Sequence, residues 1–438
     1  MSTELGTTER PLRVGIIGAG PSGFYAAEAL FKTDKNVSVD LFDRLPVPYG
    51  LVRYGVAPDH QKIKNVVKVY EKTAAREGFR FFGNVNVGGM VQVEDLQKHY
   101  DVLIFTNGAE TDRKLDIPGI DLTGSYTATE FVQWYNGHPD AKDKIFDLSQ
   151  EVAVIIGQGN VAVDVARILC KTVDELKVTD IAQHALDALA ESKVKEVHIV
   201  GRRGPAQVAF TPPEIREFGE LADCDVVIDP KDLELIETSQ KMLEDPAFAI
   251  QKKNYDILVE LSKKPLAGKS KKFYVDFRKS PVELQGNNRL EKVIFGINEL
   301  YGDVGKQRSK DTGERMEMPC GLFFRSIGYR GVPIPGVPFR EDWGIIANED
   351  GAIIDGDNHL PGMYTAGWIK RGPSGVIGTN KACADETVGH IINDLEHIPP
   401  CENPDPASVD KLLDEKGIRA VSFDDWKKID AAEVANGE

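Results

Sequence analysis

The chain has 438 residues, 41% of them hydrophobic and 28% charged, with a formal net charge of -16. At roughly 150 residues per domain that length suggests two or three domains, with cores large enough to need no metal or disulfide staple. The acid excess argues against nucleic acid or an anionic membrane as main partner, because phosphate binding needs a basic surface.

Residues 1–11 are polar and read as a frayed leader. Leu12 to Ile17 is an apolar, β-branched run expected to form a buried strand. A glycine-rich turn and a helix from about Ser22 to Phe31 follow. Val37 to Phe42 then reads as a second strand, completing a βαβ unit. Ile63 to Glu77 is amphipathic and predicts one helix; Phe79 to Val87 and Val102 to Thr106 predict strands. At Val152 a second strand, glycine turn and helix begin. Thr172 to Lys195 reads as a long, mostly polar helical insertion before the strand Val197 to Val200. Alternating β segments run from Phe273 to Phe295, and apolar strands follow at Gly321 to Ile327 and Met363 to Gly367. A helix is expected from about Asn380 to Leu395, then a proline-rich linker from Pro399 to Pro406 and a short helical appendage.

The first glycine turn, Gly18-Ala19-Gly20-Pro21-Ser22-Gly23, fits GxGxxG between a strand and a helix. Gly18 permits the tight turn, Gly20 lets a pyrophosphate approach the backbone, and Gly23 lets helix and strand pack closely. The helix N-terminus offers free N–H groups and partial positive charge to phosphates. Asp43, at the end of the second strand, is placed to accept hydrogen bonds from a ribose diol.

The second turn, Gly157-Gln158-Gly159-Asn160-Val161-Ala162, repeats the pattern with alanine in third place. The strand after it ends in Arg202-Arg203, where an NAD site carries a carboxylate. Guanidinium pairs bidentately with phosphate, so this site is expected to select the 2′-phosphate of NADP(H). Two dinucleotide sites in one chain suggest a bound flavin and an exchanging nicotinamide. Hydride transfer between them requires reacting atoms about 3–3.5 Å apart. None of the five cysteines, Cys170, Cys224, Cys320, Cys383 and Cys401, lies in a Cys-x-x-Cys pair. A redox disulfide and a zinc site are therefore disfavoured, and reduced thiols point to a reducing compartment. No stretch approaches the ~18 apolar residues of a membrane span, and the N-terminus carries no signal or transit pattern. The expected location is cytoplasmic.

The segment from Pro46 to His60 (PVPYGLVRYGVAPDH) resembles the adrenodoxin reductase family, as do residues 157–168, 200–210 and 365–377. The likeness runs from about residue 12 to 395 and is strongest to the bacterial, mycobacterial FprA-like branch. It implies an α/β, glutathione-reductase-like fold of two Rossmann-type dinucleotide-binding domains. The NADP domain, residues 115–329, would be inserted in a discontinuous FAD domain formed by residues 1–114 and 330–438. It further implies FAD contacts at Ser22, Asp43, Leu51, Val87, Trp368, Gly375, Val376 and Ile377. NADP contacts would fall on Gln158 to Val161, Arg202, Arg203, Glu214 and Gly375. Asp43 stands where many members have Glu, and Ser374 where Thr is common.

Trp368, in a glycine-rich loop, is also plausible from its setting as a flavin-shielding ring. His60 titrates where proton handling occurs, and the resemblance places His60 and Asp164 near the flavin. The activity implied is NADPH-dependent reduction of FAD, which can release single electrons onward to a small iron–sulfur ferredoxin. Such a partner, often acidic, would need a local basic face; Lys252-Lys253, Lys263-Lys264, Lys269 with Lys271-Lys272, and Lys370-Arg371 are candidates. Two alternatives remain at this level: an electron-input subunit resembling the glutamate synthase small subunit, and a non-catalytic NADP-binding sensor. The first is weakened by the absence of cysteines ahead of Gly18.

Overall fold

A computed structural model describes residues 4–437. They divide into two compact units.

Among the described residues, the first unit gathers 4–56, 62–111 and 329–437. Five parallel strands form the body of its seven-stranded sheet: Asn358–Thr365, Val102–Phe105, Leu12–Ile17, Val37–Phe42 and Phe79–Phe82, in that spatial order. The run LRVGII is buried at every position, as a strand covered on both faces must be. Helix Pro21–Leu30 leaves the first glycine turn with proline in its first turn, where a missing N–H costs nothing. It packs against helix Thr379–Asp394.

The second unit gathers residues 57–61 and 112–328. Its six-stranded sheet is wholly parallel, in the order Ser125–Thr127, Leu322–Arg325, Val152–Ile156, Glu196–Val200, Lys271–Asp276 and Cys224–Val227. A separate antiparallel sheet of Lys279–Gln285, Lys292–Tyr301 and Arg308–Pro319 accompanies it. Residues 57–61 join this unit because Asp59 is held by Arg167 and Lys171. No local pattern in the sequence reports that pairing.

Several expectations need correction. The leader is not frayed over its described part: Leu5 is buried, and Arg10 pairs with buried Asp101 at 2.5 Å. The helix expected over residues 63–77 is two helices, Gln61–Lys64 and Val67–Ala74, separated where Val66 and Lys68 donate to carbonyls three residues back. The insertion at 172–195 is likewise broken, into Val173–Leu176 and Gln183–Ala190. The expected strand 79–87 ends at Phe82, beyond which Gly83 bridges to Val421. The β segments expected from Phe273 to Phe295 divide between two sheets, Lys271–Asp276 in the parallel one and Lys279–Gln285 and Lys292–Tyr301 in the antiparallel one. Among the described residues, no helix is long and apolar enough to cross a membrane.

Candidate active site

Each glycine turn shows a division of labour. At Gly18, φ is +111° and a Cβ would lie 2.6 Å from the Thr106 carbonyl oxygen, so only glycine fits. A Cβ on Gly23 would collide with the Gly18 carbonyl oxygen, whereas one on Gly20 would meet nothing within 4 Å. The middle glycine thus faces open space at the N-terminus of a helix. That is a cradle a Cβ would fill and a phosphate can enter. The second turn repeats the arrangement. Gly157 has φ +128° and abuts the Ser326 carbonyl oxygen, Gly159 faces open space, and Ala162 is fully buried. The sheet tolerates the extra methyl there.

Around the first cradle, Asp43 accepts hydrogen bonds from the Ala19 and Leu45 backbone N–H groups, each at 2.9 Å. Burial pushes its carboxyl up to about 6, against those two bonds. Each oxygen keeps a further lone pair for a ribose hydroxyl. The segment after it wraps the turn: Tyr49 N–H donates to the Ala19 carbonyl at 2.8 Å, and a Cβ on Gly50 would sit 3.0 Å from the Gly20 Cα. Leu51 starts the next short helix, Leu51–Tyr54. Ser22 is buried beneath Gly367, whose Cβ would strike its hydroxyl. Val87 lies in the core of this unit.

Trp368 opens the short helix Trp368–Arg371, and its Nε1 donates to the Ser374 carbonyl at 3.1 Å. Arg371 binds the same carbonyl oxygen and reaches Asn380 Oδ1 at 2.9 Å. The loop from 368 to 375 is therefore closed by its own side chains. Val376 stays exposed and Ile377 packs on the core. Lys370 is unavailable for a docking face: it is buried and bonded to Glu386 and Thr387. The other basic clusters are also partly committed. Lys252 pairs with Asp256 at 2.5 Å, while Lys269 and Lys271 donate to backbone carbonyls.

Around the second cradle, Gln158 donates to the Asp276 carbonyl at 2.9 Å, and Asn160 Oδ1 accepts from the Thr211 N–H at 2.8 Å. Val161 packs against the core. Arg202 is exposed and Arg203 half-buried. Among the described ion pairs neither meets a carboxylate. Burial and the neighbouring Arg202 charge lower the Arg203 pKa. Two adjacent uncompensated guanidiniums suit a dianion.

A cluster of buried charges forms a third feature of the second unit. Arg167 is wholly buried in helix Asn160–Cys170 and binds Asp59 at 2.7 Å, Asp164 at 2.7 Å and Glu214 at 3.0 Å, with Glu217 at 3.4 Å. His60 lies beside the same acids: its Nε2 is 3.4 Å from Glu217 and 3.6 Å from Glu214, and its Nδ1 3.9 Å from Asp164. Burial and the Arg167 charge oppose the charged imidazole, but its hydrogen bond to Glu217 and the charges of Glu214 and Asp164 outweigh them, so the His60 pKa is raised. Burial and Asp164 push Glu214 up to about 7. Burial also raises Asp164, against Arg167 and His60, whereas Arg167 and Lys171 overcome burial to hold Asp59 well below the usual range. The spacing of these acids around His60 would suit a cation; here the Arg167 guanidinium supplies that charge. Sequence reasoning named His60, Asp164 and Glu214 but missed Arg167, Asp59 and Glu217. The available signal was an arginine set in the apolar helix face VAVDVARILC, where a buried charge demands partners.

A family profile described as pyridine nucleotide-disulphide oxidoreductase matches residues 12–218. The NADPH-ferredoxin reductase FprA of Mycobacterium tuberculosis is 46% identical, over 98% of this chain and 95% of its own length. The chain belongs to this reductase family. The mitochondrial NADPH:adrenodoxin oxidoreductase of Bos taurus is 40% identical over 99% of this chain and 89% of its own. A solved structure of Mycobacterium tuberculosis FprA in complex with NADPH superposes with a TM-score of 0.91, covering 98% of this chain and 95% of that one. The expected glutathione-reductase-like α/β fold and the expected class, an NADPH-dependent oxidoreductase, are thereby borne out.

Proposed function

We propose that this reductase takes a hydride from NADPH and delivers single electrons to an iron–sulfur ferredoxin. The observation that carries the reading is the pair of open glycine cradles, one followed by a carboxylate and the other by two guanidiniums with no carboxylate partner among the described ion pairs. FAD and NADP(H) are the cofactors. FAD, bound at the first cradle, supplies the conversion of one hydride into two separate electrons.

This chain's residues bind and orient. Gly18, Gly20, Ser22 and Gly23 hold the FAD pyrophosphate, and Asp43 the ribose. Leu51, Val87, Trp368 and Gly375 to Ile377 border the flavin. Gly157 to Val161 hold the NADP pyrophosphate, with Arg202 and Arg203 on the 2′-phosphate. Glu214, its carboxyl pushed up to about 7, can donate or accept a hydrogen bond towards NADP. Gly375, at φ +80°, is a further NADP contact offered through its backbone. His60, its pKa raised by Glu217 against burial, and Asp164 tune the charge beside Arg167 and offer a proton-holding site at the imidazole. The residues 1–114 and 330–438 serve FAD, and 115–329 serve NADP. We place the protein in the cytoplasm, a setting that suits its five free cysteines.

Stopped-flow mixing with NADPH and with NADH tests the reading. NADPH is expected to bleach the flavin rapidly and NADH much more slowly. Arg202→Ala with Arg203→Ala is expected to lower kcat/KM for NADPH by about 100-fold, two charge-assisted bonds' worth, and to leave NADH within about threefold. An unchanged preference for NADPH refutes the assignment.

A further inference from the structure

Next to Arg202 and Arg203 lies an open groove of about 500 Å³ whose other wall is the turn joining strands Lys292–Tyr301 and Arg308–Pro319. That wall presents Tyr301, Lys306 and Arg308. Tyr301 and Arg308 face each other across the two strands, and all three side chains are exposed. Among the described ion pairs neither Lys306 nor Arg308 meets a carboxylate. Asp303, the turn's one acid, does not line the groove. Four cations therefore surround one cavity without a counter-charge.

The turn is fixed against the arginine pair. Buried Asn298 donates Nδ2 to the Arg202 carbonyl at 3.0 Å and to Ser280 Oγ at 2.8 Å. Buried Gln307 donates to the Thr238 carbonyl at 3.0 Å. Gly305, at φ +74°, rests against the Phe248 ring, where a Cβ would fall 2.6 Å from Cζ. The cations are thus presented by a braced hairpin, which lowers the ordering cost of binding.

We propose that this hairpin is the second wall of the nucleotide site. Lys306 and Arg308 add their charges to the 2′-phosphate dianion, and Tyr301 gives a face for the adenine ring to lie on. The inference rests on Arg202 and Arg203 being the 2′-phosphate ligands. It adds residues distant in sequence from the glycine fingerprint as determinants of NADP over NAD.

Calorimetry on the flavin-loaded protein with 2′,5′-ADP and 5′-AMP tests it. Lys306→Gln with Arg308→Gln is expected to weaken 2′,5′-ADP at least tenfold and 5′-AMP less than twofold, and to raise the KM for NADPH with kcat unchanged. Tyr301→Leu is expected to weaken both nucleotides alike, by about fivefold, as loss of a stacking face on adenine would. Wild-type 2′,5′-ADP affinity in the Lys306/Arg308 variant, beside a large loss in Arg202→Ala with Arg203→Ala, overturns the hairpin's role and leaves the arginine site standing. Unchanged affinity in both variants overturns the arginine assignment itself. Equal weakening of 2′,5′-ADP and 5′-AMP in the Lys306/Arg308 variant overturns selectivity for the 2′-phosphate.

Discussion

A guanidinium wholly withdrawn from water, as at Arg167, is stable only while acids surround it. Here four carboxylates, Asp59, Asp164, Glu214 and Glu217, face Arg167 and Lys171, so at least one acid is poorly compensated. Replacing Arg167 with Met is expected to cost about 3–5 kcal/mol, because it strands buried charge; the shift in urea midpoint measures it. The excess acid also sets a pH dependence. Glu214 titrates near 7 in the fold against an ordinary 4.5, so the folded chain holds that proton more tightly than the unfolded one. Its contribution to stability is complete below about pH 4.5, falls as pH rises towards 7, and is lost above it. His60, raised above 6.5, acts in the same direction, its share fading as pH passes through its folded pKa. The drop in Tm between pH 5 and pH 8 is expected to be smaller in Glu214→Gln than in the parent; an equal or larger drop would contradict this reading. At this scale the sequence displayed His60 and Asp164 as titratable candidates. The partners that tune them come from residues 59, 167, 214 and 217, which only folding brings together.

At the scale of elements, the glycine turns were legible because their chemistry is local. Strand, tight turn and helix fall within a dozen residues, and each glycine answers to a backbone constraint of its neighbours. The same geometry separates fold from function by experiment. Gly20→Ala places its methyl in open space, so Tm without flavin is expected to stay within about 2 °C, a surface-scale effect, while retained FAD falls sharply. Gly23→Ala drives a methyl into the Gly18 carbonyl oxygen and is expected to lower Tm itself by several degrees. Thermal melts with and without added FAD distinguish the two. Helix breaks were read less well. Residues 63–77 keep a helical periodicity through two separate helices, with Ile63 and Val69 left exposed, so periodicity alone gave no boundary. In the insertion, the capping box at Thr172 and Glu175 was a local signal for a new start.

On the scale of the whole molecule, the chain's end returns to its first unit. The expected helical appendage is two helices, Ala407–Glu415 and Phe423–Asn436, and Val409, Leu413 and Trp426 are buried in that unit's cores. Trp426 meets Tyr49 edge-on at 5.9 Å and carries Arg53 over its ring at 5.0 Å, and Arg53 is paired in turn with Glu433 at 2.5 Å. The segment that wraps the first cradle is thereby braced by Glu433, 380 residues from Arg53. Trp426→Ala is expected to cost about 3–5 kcal/mol and to speed flavin loss, measured by urea titration and by the rate of FAD release. Flavin release at the parental rate would separate the C-terminal helices from the cofactor site.

The sequence by itself determined the two nucleotide-binding units, their order along the chain and the preference expected of the arginine pair. All of these rest on contacts between residues close in sequence, where sterics and hydrogen-bonding rules act without help. Tertiary structure alone decided that Lys370 is buried, that residues 57–61 join the second unit, that Arg167 gathers four acids, and that a hairpin a hundred residues downstream walls the groove beside Arg202. Those outcomes depend on which distant charges and surfaces meet, and no periodicity or motif encodes that meeting.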